Sequence, residues 1–137
     1  MAPRYMLDTN ICIYIRQKKP PAVLRRFEKL AVGDAAISVI TYGELLYGAV
    51  KSQDRAARLR QLEELTSLIP ALPMLASVGA AYGEIRANLE RAGEVIGNND
   101  LWIAAHARTE ALILVTNNER EFKRVPGLKI ENWAVAA

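Results

Sequence analysis

The stretch from Tyr5 to Ile15, YMLDTNICIYI, decides how the chain is read. An apolar run reaches Asp8, crosses Thr9 and Asn10, and turns apolar again. A short apolar run closed by a turn signal reads as a buried strand, here Arg4 to Leu7. Thr9 or Asn10 can then cap a helix running from Ile11 to Gln17. A carboxylate therefore stands where a strand ends and a helix begins. That is either a routine turn or the seed of a site.

Working outward, Pro20-Pro21 breaks the chain and starts a second helix near Ala22. Gly33-Asp34 is a turn, and Ala35 to Ile40 is a second buried strand. Thr41 to Val50 is predicted helical, with Leu45, Leu46 and Ala49 on one face. Leu59, Leu62, Leu65 and Leu68 mark an amphipathic helix over Asp54 to Leu68. Pro70 and Pro73 bracket a short extended segment. Val78, Tyr82, Ile85 and Leu89 align on a helix from Ser77 to Arg91, which Gly93 ends. Gly97-Asn98-Asn99 caps a helix from Asp100 to Thr109. Ala111 to Val115 is another strand, a helical turn surrounds Phe122, and Lys129 to Trp133 forms an edge strand. Continuous apolar strands alternating with helices predict an α/β fold with a mainly parallel sheet covered on both faces.

The 137 residues suit one domain, residues 1–137, with a core large enough to need no staple. The composition, 51% apolar and 24% charged, is that of a soluble globular protein. A single cysteine, Cys12, allows no disulfide within the chain and fits a reducing, cytoplasmic setting. No signal peptide is expected, and no apolar run approaches a membrane span. The net charge of +3 hints at an anionic partner. Its distribution says more: Arg16 to Lys29 holds six cations and one acid. That stretch is either a solvated helix face or a phosphate-contacting patch.

In open α/β sheets, sites form beyond the carboxyl ends of the strands. Three acids fall at such places: Asp8, Glu44 and Asp100. Each has an ordinary reading. Asp8 can make an Asx-turn, Thr41-x-x-Glu44 matches a capping box, and Asp100 complements a helix dipole. Brought together, they would repel and require a cation, and carboxylate oxygens suit Mg²⁺ or Mn²⁺. Such a site activates water without histidine. The only histidine, His106, lies about 240° around the helix from Asp100 and reads as structural or surface.

MLDTN, ITYGELLYGA, IGNNDLWIAAHA and ILVTNNEREFKRVPGL, in this order, resemble the PIN-domain ribonucleases, and among them the VapC toxins of VapBC toxin–antitoxin pairs. The resemblance spans Met6 to Trp133 and implies a three-layer α/β/α sandwich. It implies Asp8, Glu44 and Asp100 as catalytic ligands of Mg²⁺ or Mn²⁺, supported by Thr9, Asn10, Asn99 and Asn118. Many PIN domains carry a fourth acid where Asn118 stands here; Glu119 and Glu121 are the nearby substitutes. The implied reaction is attack of metal-activated water on an RNA phosphodiester, with tRNA, and initiator tRNA in particular, as substrate. Arg16, Lys18, Lys19 and Arg86, the last on the inner side of its helix, would hold RNA. A VapB-type antitoxin would bind apolar residues such as Ile13, Tyr14, Leu45, Leu46 and Tyr47, and the chain would form a homodimer. Trp102 and Trp133 read as core or interface. The alternative is a PIN-like module that binds RNA or a partner without cutting it. A phosphoaspartyl enzyme is disfavoured, because Asn10 stands where its second Asp belongs.

Overall fold

The computed structural model describes residues 2–134. In chain order the elements are β1 (Tyr5–Leu7), α1 (Thr9–Gln17), α2 (Pro21–Glu28), β2 (Ala35–Ser38), α3 (Val39–Val50) and α4 (Arg55–Leu68). There follow β3 (Ala71–Leu72), α5 (Ala76–Ala92), α6 (Asn98–Thr109), β4 (Ile113–Val115), α7 (Glu119–Phe122) and β5 (Ile130–Glu131). The five strands pair in parallel in the order β3-β2-β1-β4-β5.

Strand side chains alternate between faces, and β1 and β4 use that period to build two cores. Met6 and Leu114 point to one face, where Val78, Ile85 and Leu89 of α5 and Leu101 and Ile103 of α6 cover them. Leu7 and Val115 point to the other, where Ile11 and Ile15 of α1, Leu45 of α3 and Leu62 of α4 pack. The result is the expected three-layer α/β/α arrangement. Each fully buried aliphatic side chain contributes about 1.5–3 kcal/mol. Truncating fully buried Ile85 to Ala would cost about 2–5 kcal/mol.

Several boundaries differ from the sequence reading. β2 stops at Ser38 instead of Ile40, because the Ser38 Oγ accepts the Ile40 N–H at 3.1 Å and starts α3 there. The predicted Thr41–Glu44 capping box therefore does not form. Thr41 lies inside the first turn and is buried. α6 starts at Asn98, with Gly97 as its cap residue, so Asp100 sits in its first turn. On α4 only Leu62 is buried, and Leu68 is 48% exposed, so the leucine stripe is less covered than its spacing implied. Trp133 is buried with its ring edge-on to Tyr5, while Trp102 stacks on Tyr82 at the rim of the other core. Among the described residues no helix is long and apolar enough to cross a membrane.

Candidate active site

After β1 the chain moves to β2 and β3 on one side, then returns to β4 and β5 on the other. The strand order thus reverses between β1 and β4, where a crevice opens beyond their carboxyl ends. Asp8 leaves β1 at that point, and its N–H donates to the Val115 carbonyl of β4 at 3.0 Å.

Asp8 is buried, and its Oδ1 accepts the Ile11 N–H at 2.9 Å. Asp8 itself, not Thr9 or Asn10, caps α1. Burial pushes its pKa up to about 6, and the charge of Glu44 adds to this, while hydrogen bonds from Thr116 and the backbone oppose it. Cys12, one turn along, is buried, and burial together with Asp8 pushes its thiol up, so it stays protonated and inert.

Glu44 reaches the same crevice from α3. Thr9 Oγ1 donates to its Oε1 at 2.6 Å, and Asn99 Nδ2 donates to its Oε2 at 3.3 Å. One carboxylate thus joins α1, α3 and α6. Thr41 Oγ1 lies 3.3 Å from Thr9 Oγ1 and backs this contact. Asp100 enters from the first turn of α6. Burial pushes its pKa up to about 7, followed by the adjacent Glu121 and the charges of Asp8 and Glu44.

Asp8, Glu44 and Asp100 line one pocket of about 140 Å³ with Thr9, Asn10 and Asn118, and Phe122 closes it. That volume admits an ion with several waters. Among the described residues no three acidic, His or Cys side chains converge tightly enough to cage a bare ion. The donors are all hard oxygens, and Asp8 and Asp100 are pushed toward neutrality by burial and by neighbouring acids. This set fits a hydrated Mg²⁺ or Mn²⁺, which keeps several waters and needs few protein ligands. Asp8 and Asp100 are the residues that would hold it, with Glu44 alongside.

Glu121 is the residue that sequence reasoning weights too little. Its Oε1 accepts the Gly97 N–H at 2.7 Å, and its Oε2 accepts from Asn118 Nδ2. It therefore lies beside Asp100, and Asn118 orients it. Glu119 turns away, accepting from Asn132 Nδ2 at 3.1 Å. The available signal is the three-residue spacing from Asn118, which puts Glu121 on the side of the turn facing back to it.

The cations behave differently. Arg16 is eight residues past Asp8 on α1, about 12 Å along the axis, so the basic stretch does not leave the edge that Asp8 occupies. It lines a separate small cavity of about 30 Å³ with Cys12, Leu45, Arg58 and Leu62. Lys18 and Lys19 are exposed where α1 ends. Arg86 is not on the inner side of its helix. It is exposed, donating to Glu90 at 3.2 Å and to the Tyr82 hydroxyl at 2.9 Å. Tyr82 in turn donates to Asn98, two residues before Asp100. Of the apolar candidates for a partner groove, Leu45 is buried, Ile13, Tyr14 and Leu46 are half-buried, and Tyr47 is 65% exposed. His106 is fully buried, with Nδ1 2.9 Å from Ser38 Oγ and Nε2 unpartnered.

The PIN-domain profile matches residues 5–128. The chain belongs to the PIN-domain family. Within it the chain falls among the VapC proteins. It is 47% identical over 131 residues to the tRNA(fMet)-specific endonuclease VapC of Shigella flexneri, covering 96% of this chain and 98% of that protein. It is 46% identical over 130 residues to Ribonuclease VapC2 of Haemophilus influenzae, covering 95% and 98%. The crystal structure of VapBC2 from Rickettsia felis bound to a DNA fragment from their promoter superposes on this PIN domain with a TM-score of 0.88. That match has 45% identity and covers 94% of this chain and 98% of that one.

Proposed function

We propose that this PIN domain is a metal-dependent endoribonuclease, the toxin of a toxin–antitoxin pair. The observation that carries this reading is the convergence of Asp8, Glu44 and Asp100 on one pocket at the sheet's switch point. Bound there by Asp8 and Asp100, Mg²⁺ or Mn²⁺ would neutralise the carboxylates and acidify an attacking water. Glu44, oriented by Thr9 and Asn99, accepts the proton of that water. Asp8 is oriented in the pocket by its bond from Ile11 and by the Thr116 hydroxyl. Glu121 adds a fourth carboxylate beside Asp100 in the role the sequence suggests for Asn118, which holds Glu121 in place. Cleavage leaves a 5′-phosphate and a 3′-hydroxyl.

The substrate we propose is tRNA, with initiator tRNA and its anticodon loop first in line; the name of the Shigella flexneri relative supports this. Arg16, Lys18, Lys19 and Arg86 bind the backbone outside the pocket. The partner is a VapB-type antitoxin, supported by likeness to a VapBC complex. A homodimer is part of the proposal. Val39, Tyr47 and Val50, at least 40% exposed on one side of α3, are apolar surface available to a second copy. A cytoplasmic location agrees with the lone buried thiol.

The test is a cleavage assay on total tRNA with wild type, Asp8→Asn, and wild type plus EDTA. A discrete cut only with wild type and free metal supports the reading. Intact RNA despite bound Mn²⁺ would favour a PIN module that binds without cutting.

A further inference from the structure

Two of the three pocket acids ride on α3 and α6, and two polar ties join those helices. One is the Asn99–Glu44 bond inside the pocket. The other is the contact between Ser38 Oγ and His106 Nδ1, at 2.9 Å and wholly buried. Glu44 lies six residues after Ser38, and Asp100 lies six residues before His106. The ties therefore sit at opposite ends of an antiparallel crossing, about 9 Å apart along α3 and about 10 Å apart along α6. We propose that His106 is a positioning residue. Through Ser38 it fixes α3 against α6 and so sets the separation of Glu44 from Asp100. This rests on the metal-nuclease reading of the pocket.

The hydrogen-bond pattern gives the contact a direction. Ser38 Oγ accepts the Ile40 N–H at 3.1 Å and keeps one proton to give, while the Pro73 backbone beside the ring favours the ring proton on Nε2, which leaves Nδ1 to accept from Ser38. The ring is then a neutral acceptor, which burial also favours. Ser38 thus does two things with one oxygen: it starts α3 and anchors that start to α6. Nε2 makes no full hydrogen bond, with the Pro73 backbone its polar neighbour. An apolar side chain would fill the same space with no such atom, so packing alone does not account for a histidine here. The bond from Nδ1 does.

Asparagine and glutamine separate the two explanations. An Asn amide can place its oxygen near the position of Nδ1, whereas Gln places it near Nε2. A packing role is better kept by Gln or Leu, which are closer in size; the bond to Ser38 is kept only by Asn. The experiment measures Mn²⁺ affinity and RNA cleavage for wild type, His106→Asn, His106→Gln, His106→Leu and Ser38→Ala, each first shown to melt cooperatively. Loss of this tie is expected to cost about tenfold in Mn²⁺ affinity or kcat, the lower end for groups that orient ligands, with KM for RNA nearly unchanged. His106→Asn stays within threefold of wild type, His106→Gln and His106→Leu do not, and Ser38→Ala combined with His106→Leu is no worse than the more severe single variant. Wild-type values in His106→Gln, or additive losses in the double variant, would overturn the proposal. Wild type that binds Mn²⁺ but cuts no RNA would overturn the nuclease reading, and the Mn²⁺ affinities would still decide this one. Wild type that binds no Mn²⁺ would overturn both.

Discussion

The acidic pocket and the basic stretch of this PIN domain are opposites in sequence and in space. Asp8, Glu44, Asp100 and Glu121 come from four separate segments and meet beyond the ends of β1 and β4. The cations of Arg16 to Lys29 are neighbours in sequence, yet folding disperses them. Arg16 lines a cavity between helices, Lys18 and Lys19 face solvent, and Arg26 pairs with Glu131 at 3.1 Å and lies over the Trp133 ring. Charges concentrated by folding shift one another's protonation; charges merely adjacent in sequence are sent to solvent, to a cavity wall or to an acid from another element. Burial and the neighbouring Arg58 lower the pKa of Arg16 as well, but the acidic cluster is where several like charges converge, and that cost is what a divalent ion would relieve.

The largest expected effect lies on the acidic side. Asp100→Asn should lower cleavage by about a hundredfold to ten-thousandfold, the range for removing a group that acts in the transition state. Full activity in that variant would break the comparison, because the pocket would then be no more functional than the basic stretch.

Acid should weaken the same site. The carboxyls of Asp8 and Asp100 are pushed up to about 6 and about 7, and a protonated carboxyl does not hold a metal. Mn²⁺ affinity should be level only above about pH 8 and fall progressively more steeply from there to pH 5. A profile flat down to pH 5 would show that these groups ionise at their ordinary values.

Stability sharpens the contrast further. Asp8 holds its proton more tightly folded than unfolded, so metal-free protein should lose stability as pH rises from about 4 through about 6. At neutral pH, Asp8→Asn removes that penalty while keeping an oxygen for Ile11, and should raise stability by about 3 kcal/mol in urea melts. Asp8→Ala removes the penalty but also the cap, worth about 1 kcal/mol, so its gain should be smaller. If the two variants were equally stable, the capping role would be refuted.

The smallest effects belong to the cations. Replacing Lys18 and Lys19 by Ala should leave the pocket intact and weaken RNA binding, lowering the salt slope by about one for each phosphate that is no longer neutralised. Arg26→Ala should leave cleavage unchanged and cost about 1 kcal/mol or less, as expected for a half-exposed ion pair.

Asp8 and Asp100 are legible because each breaks an apolar pattern at a strand end or helix start, where α/β sheets form sites; Glu44 breaks one too, but from the second turn of α3. Glu121 is harder to single out, because Glu119 lies only two residues away and a short helical turn does not announce which side faces inward. Ser38 reads as strand because Val39 and Ile40 extend the apolar run, and a serine cap inside such a run leaves little local trace. Arg86 is expected on the inner side of its helix, but it lies about 100° around α5 from buried Ile85, and its long side chain follows the exposed face to reach Glu90 and Tyr82.

By itself the sequence determined the parallel α/β class, the place of each helix and three acids at switch-point positions. Those features follow from period and composition, which act over a few residues. Only the tertiary structure decided that Asp8 caps its own helix, that Thr9 and Asn99 grip Glu44 from two other helices, and that Glu121 stands beside Asp100. These contacts join residues 21 to 55 positions apart, or turn on the burial of single side chains. Such facts arise when layers pack, because desolvation and like-charge repulsion depend on distance in space and not along the chain.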